Sequence, residues 1–338
     1  MTGILLLGMA HGFSDAAAGF AVGVLFQMSS PEGGLLIFLY NGLAFGLQPI
    51  AGLLLDRLKQ AQRGAAFGLV LTSIGLTVFW LNPRLGILLI GLGSAFFHAG
   101  GGAVSILNSA GKASGPGVFA AFGVMGLVIG TRLSFTYTGS ITTSFVVLLI
   151  VLAFAVLFIR SIEMKAVGNF ETLPGFEMPL IIILAAFALR SFAWTGVDRV
   201  LDSSAYLALY VGLSAGIGKL AGGILSDRIG WLKWTFFSLT GSALLLAFAR
   251  DHVLPLLIGA FLLQSVTGLT ISWFGRALPD SPALAASLAL GAAVVAGGLP
   301  FVFTGGDWFG PSAILISLTV SLAGYWLALR EKVEHSFG

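Results

Sequence analysis

The chain has 338 residues, 57% of them hydrophobic and only 9% charged, with a formal net charge of +3. An average soluble domain carries about a quarter charged residues, so a water-soluble core is excluded, and no basic footprint for nucleic acid is present. Cysteine is absent, which removes disulfides, thiolate nucleophiles and Cys-ligated metals together.

A membrane-spanning helix needs roughly 20 mostly apolar residues. Runs of that kind fall near 3–27, 34–55, 65–82, 85–108, 117–138, 141–160, 178–200, 204–226, 231–249, 253–275, 283–303 and 309–329, predicting an all-α integral membrane protein of twelve transmembrane helices. Loops between such runs are short and leave no room for a soluble domain. The start, Met1 to Leu7, lacks a basic stretch and a cleavage site, so it reads as the first span rather than a removable signal. The 47 glycines fit membrane helices that approach closely through small residues.

The first helix carries His11 and Asp15 at i, i+4, on one face. His11 lies roughly 15 Å into the span, near the bilayer middle, where an ionisable group is costly unless it faces water or a partner. The pair can exchange protons, or it can lock helix packing through a His–Asp hydrogen bond. The second helix ends in Gly52-Leu53-Leu54-Leu55-Asp56-Arg57, and Asn41 and Gln48-Pro49 are candidate pocket or bend residues within it. His98, in the fourth helix beside Gly100 to Gly102, is a candidate proton carrier or a satisfied core histidine. Arg132, late in the fifth helix near Ser134, Thr136 and Tyr137, either joins those hydroxyls in holding a polar solute or snorkels to the outer interface.

The longest interruption, Arg160 to Glu177, divides the chain into an N-terminal bundle over 1–160, a linker over 161–177 and a C-terminal bundle over 178–338. In the seventh helix Arg190 sits near mid-depth; it stays charged and needs a carboxylate, a carbonyl cluster or an anionic ligand. Asp15 is the expected partner across the two halves. Asp198, Arg199 and Asp202 read as the solvated outer end of that helix, and Lys219 in the eighth as a snorkelling residue reaching the cytoplasmic face. Trp194, Tyr206, Tyr210, Gln264, Thr267 and Trp273 are further pocket candidates, and Pro300 a further bend.

Eleven Lys and Arg residues fall on the side of the even-numbered connections, the linker and the C-terminal tail, against Arg84 and Arg250 opposite. That bias places both termini in the cytoplasm and the protein in an inner membrane. The eighth helix closes on Gly223-Ile224-Leu225-Ser226-Asp227-Arg228, so the second-helix motif recurs 171 positions later, close to half the chain, as two parallel repeats require. The carboxylate of such a motif can cap a neighbouring helix N-terminus.

A Gly-x-x-x-Asp-Arg motif in both halves resembles the major facilitator superfamily. That resemblance implies two pseudo-symmetric six-helix bundles, with Gly52, Asp56, Arg57, Gly223, Asp227 and Arg228 controlling conformational exchange. Within it, Ala10-His11-Gly12-Phe13-Ser14-Asp15, Gly93-Ser94-Ala95-Phe96-Phe97-His98 and Leu189-Arg190-Ser191-Phe192-Ala193-Trp194-Thr195-Gly196 resemble the fosmidomycin-resistance type of efflux protein. The chain departs from that type after His98, where Ala99-Gly100-Gly101 replaces Pro-Glu-Gly. Where superfamily antiporters carry Gly-Pro in the fifth helix, it has Gly130-Thr131.

The function these observations predict is secondary active transport of a small anionic or zwitterionic solute by a monomer in the lipid bilayer. Proton-coupled efflux along a pathway of His11, Asp15, His98, Arg132, Arg190 and Trp194 is the expected mode. No Walker-type run, catalytic group or cofactor site is present. A non-transporting membrane scaffold with the same fold is the alternative. An intramembrane metalloenzyme lacks His-Glu-x-x-His spacing and would need His11, Asp15 and His98 to converge by fold alone, so no metal site is expected.

Overall fold

The protein is described here from a computed structural model, which covers residues 2–28, 30–137, 140–159, 175–200, 205–304 and 308–333. These residues form twelve helical spans and no strand. In the first half they are α1 (Thr2–Gln27), α2 (Pro31–Leu58), α3 (Ala61–Phe79), α4 (Pro83–Leu107), α5 (Ser114–Ser134) and α6 (Ser140–Leu157). In the second they are α7 (Glu177–Val200), α8 (Ala205–Ile229), α9 (Trp231–Phe248), α10 (Val253–Ala277), α11 (Pro282–Thr304) and α12 (Pro311–Val333). The expected all-α membrane architecture is thus present. Residues 160–174, most of the expected linker, and Asp202 lie outside the described residues, as do the side chains of Asp198 and Arg199.

Local chemistry sets the helix ends. Ser30 accepts from the Gly33 N–H with Pro31 in the first turn, and Asn82 accepts from the Leu85 N–H with Pro83 following. Each cap satisfies a backbone donor that has no intrahelical partner, and proline has no N–H to leave unpaired. The second span therefore begins at Pro31, earlier than its apolar run. Outward-facing Leu81, Phe158 and Phe303 are almost fully exposed, the inverse of a soluble surface and the one a bilayer covers.

The helices pair twice over in the same way. In the first half α1 packs on α5, and α3 on α4 and α6; in the second α7 packs on α11, and α9 on α10 and α12. Between the halves the contacts are α2 with α11 and its counterpart α5 with α8, then α4 with α11 and its counterpart α5 with α10. Glycine allows the closest of these approaches. A Cβ on Gly126 of α5 would run into the Gly12 carbonyl of α1, and one on Gly130 into the Ala16 carbonyl.

Three spans are irregular where they face the centre. Gly42–Gly46 in α2 and Leu288–Ala292 in α11 form π turns, and α10 breaks at Ser265–Val266. The α2 irregularity immediately precedes Gln48-Pro49, as a bend near Pro49 predicts, and the Gln48 side-chain amide donates to the Ala44 carbonyl. In α11 the irregular turn comes ahead of Pro300, which itself sits inside the regular run Ala293–Thr304. The α10 break has no proline; Ser265 Oγ and Thr267 Oγ1 donate to the Leu262 and Gln264 carbonyls there.

Candidate functional site

A cavity of about 140 Å³ lies between the two halves, reached by side chains of α1, α2, α4 and α5 on one side and of α7, α8, α10 and α11 on the other. Its first wall holds His11, Asp15 and His98; its second holds Arg190, Trp194, Lys219, Gln264 and Thr267.

The first wall begins with the helical spacing of His11 and Asp15, which brings His11 Nε2 to 3.2 Å from Asp15 Oδ2. Packing of α4 on α1 adds His98, whose Nε2 is 2.9 Å from His11 Nε2 and 3.6 Å from the same Asp15 oxygen. Gly123 of α5 leaves the room, because a Cβ there would occupy the His11 ring position. Phe119 stacks on His11 with ring centres 4.2 Å apart. The other ring nitrogens are anchored: His11 Nδ1 donates to the Phe119 carbonyl at 2.7 Å and His98 Nδ1 to the Ser94 carbonyl at 2.8 Å. A carbonyl only accepts, so each Nδ1 is the protonated nitrogen and each Nε2 presents its lone pair. Two imidazole nitrogens and a carboxylate oxygen then converge, and the 2.9 Å between the two nitrogens is a hydrogen-bond distance that a shared proton would bridge. Asp15 Oδ1 is buried with no hydrogen-bond partner.

Arg190 supplies the second wall. Its Nη1 donates to Gln264 Oε1 at 2.8 Å, Thr267 Oγ1 at 3.3 Å and the Leu263 carbonyl at 3.4 Å, and its guanidinium lies over the Phe187 ring. Leu263, Gln264 and Thr267 flank the α10 break. All are neutral, and Arg190 Nε has no partner. The expected ion pair between Arg190 and Asp15 does not form: among the described residues Asp15 pairs only with the two histidines. Both charges face one cavity from opposite halves, each held by its own bundle. Lys219 does not snorkel to the helix end as the sequence suggested. It lines this cavity and makes no ion pair within 4.0 Å among the described residues. Among the described residues, two basic side chains therefore face the cavity with no carboxylate within 4.0 Å of either.

Not every candidate converges here. Arg132 lies at the far end of α5, where its Nη2 donates to Tyr206 Oη at 2.9 Å and its guanidinium covers the Tyr206 ring, joining α5 to α8 away from the cavity. Asn41, Tyr206 and Tyr210 are exposed, and Trp273 packs on Phe176 and Phe274. Trp194, Gln264 and Thr267 do line the cavity.

At the Lys- and Arg-rich end of the bundles the repeated motif forms two matching clasps. Asp56 at the end of α2 accepts from the Ala283 and Leu284 N–H groups at 2.9 and 2.8 Å, capping the start of α11. Asp227 at the end of α8 accepts from the Ala113 and Ser114 N–H groups at 2.8 and 2.9 Å, capping the start of α5. Each carboxylate satisfies two unpaired donors and meets the positive end of a helix dipole in the opposite half. Gly52 and Gly223 permit the approach: a Cβ on either would crowd the Ala283 or the Ala113 carbonyl, at 2.7 and 2.8 Å. Arg57 and Arg228 are exposed beside the clasps. Trp231 Nε1 donates to Asp227, and Arg276 stacks on Trp231 while donating to the Gly111 carbonyl.

Two six-helix halves repeating one pairing scheme, with a central cavity and matching clasps at one end, define the major facilitator fold. The Escherichia coli fucose:proton symporter FucP, as an asparagine-to-alanine variant, superposes with a TM-score of 0.75 over 98% of each chain at 16% identity. A second FucP structure, described as a major facilitator superfamily transporter in the outward conformation, matches with the same figures. At that identity the likeness is one of fold. No protein-family model and no curated protein matches the sequence.

Proposed function

We propose that the protein is a secondary transporter that carries a small anionic or zwitterionic solute by alternating access and couples it to protons. The observation that carries this is one cavity faced by Arg190 and Lys219 from the second half and by the His11–Asp15–His98 cluster from the first, with neither Arg190 nor Lys219 in an ion pair among the described residues. Buried charges are costly in a membrane protein and mark substrate or ion pathways. An anion entering the cavity finds guanidinium and ammonium donors that lack a carboxylate, with Gln264, Thr267 and Trp194 beside them. A cation at the cluster changes the field felt by that anion, which is the basis of coupling. FucP, one of the structural neighbours, is itself a fucose:proton symporter.

Asp56 and Asp227 hold the Lys- and Arg-rich end shut, and their release opens the cavity to that side. The charge bias supports that side as the cytoplasmic one, with both termini there, and the proposed protein is a monomer of an inner membrane. The likeness of α1, α4 and α7 to fosmidomycin-resistance proteins favours efflux in exchange for protons. A scaffold gives no reason for two basic side chains to face an open cavity without an ion-pair partner among the described residues.

The test is a reconstituted one. Liposomes holding the protein and a trapped pH dye, challenged with a panel of phosphonates and small carboxylates, should show a lumenal pH change with at least one of them. Asp15→Asn should remove the pH change. A panel that moves no protons and no solute in protein of confirmed fold would remove this reading.

A further inference from the structure

We propose that His11, Asp15 and His98 also form a three-ligand site for one divalent transition-metal ion of the zinc, cobalt and nickel class, open to the cavity on its fourth side. Three atoms of the right chemistry converge from α1 and α4: two imidazole Nε2 lone pairs and one carboxylate oxygen. Their separations are 2.9, 3.2 and 3.6 Å. Ligands bound tetrahedrally at about 2.0–2.1 Å lie about 3.3 Å apart, so an ion fits this triangle with shifts of a few tenths of an ångström.

Three further observations point the same way. Each histidine donates its remaining N–H to a backbone carbonyl, of Phe119 or Ser94, the outer-shell arrangement that fixes the tautomer and aims Nε2 at a metal. The ligands are His11, His98 and Asp15 at 2, 4 and 8% exposure, so water competes little for them. Asp15 Oδ1 is buried and unpartnered, available as a second carboxylate contact. Two imidazoles and one carboxylate suit borderline first-row ions; magnesium and calcium prefer all-oxygen shells. The open side faces the cavity, where water or an oxygen of an anionic solute completes the shell. Lys219 and Arg190 line that cavity, so an anionic fourth ligand is electrostatically matched to the open side.

The inference stands on the cluster's geometry and does not require the transport reading. Purified, tag-free, full-length protein in detergent is titrated with Co²⁺. The expected result is one saturating equivalent with the intense visible bands of a tetrahedral N/O site, displaced by Zn²⁺ and untouched by excess Mg²⁺. His98→Gln and Asp15→Asn should each weaken binding at least tenfold. His252→Gln, at the exposed start of α10, should not. Circular dichroism and gel filtration confirm that each variant is folded, and the near-isosteric Asp15→Asn serves where a histidine change disturbs packing. Absence of saturable binding, or binding that survives both site substitutions, overturns the proposal. Metal binding without solute-driven proton movement would remove the transport reading alone; proton movement without metal binding would remove this one alone.

Discussion

Under the proposed transport reading, Arg190 is the residue expected to recognise the solute. It is 3% exposed, held by four neutral oxygens, of Leu263, Gln264, Thr267 and Ser191, with Nε unpartnered. A hydrogen bond to a charged group contributes about 1.5–3 kcal/mol. Arg190→Gln should therefore raise the solute dissociation constant about 10- to 100-fold by isothermal calorimetry, while Arg190→Lys retains part of the affinity through its charge. Equal affinity in Arg190→Gln would assign the anion to Lys219 instead. Asp15→Asn acts on a different step. The amide keeps the shape but cannot stabilise a cation at the cluster, so solute counterflow should persist while proton movement stops. The sequence showed His11 and Asp15 on one helical face because their spacing alone decides it. It did not place His98 beside them or Lys219 in the cavity, because both depend on how helices cross.

At the scale of elements, the clasps and the small-residue seams carry separate predictions. Asp56 caps α11 and Asp227 caps α5, each through two N–H groups across the halves. Losing a cap costs about 1 kcal/mol, enough to move a near-balanced conformational equilibrium several-fold. Because the chain has no cysteine, a single Val294→Cys in the cavity wall gives a clean reporter. Adding Asp56→Ala to it should raise labelling by a membrane-impermeant thiol reagent from the clasp side and lower it from the other. Unchanged labelling would mean that the clasp does not set the equilibrium. The α1–α5 seam is a matter of sterics: Gly126→Ala places a methyl against the Gly12 carbonyl, a backbone atom that cannot rotate away. Overpacking of this kind costs about 1–3 kcal/mol, read as a lower melting temperature in detergent. Gly34→Ala, with nothing within 4 Å of the new Cβ, should be neutral or mildly stabilising.

For the whole molecule, one internal two-fold relates the clasps but not the cavity walls. The first half lines the cavity with His11, Asp15 and His98 and the second with Arg190 and Lys219, so the repeat that matches the clasps is broken at the cavity, where the proposed function places solute and proton. Apolar runs, the Gly-x-x-x-Asp-Arg repeat and the placement of Lys and Arg fix spans, halves and expected orientation. Each is a property of segment length or local composition, and the bilayer reads those directly. What only tertiary structure decided is which charges meet. The sequence paired Asp15 with Arg190, yet residues flanking the α10 break at Ser265–Val266 give Arg190 neutral oxygens, and α1 and α4 give Asp15 two imidazoles. Such partners are chosen by how helices cross and which side chains the crossing brings together, and no spacing along one chain encodes that.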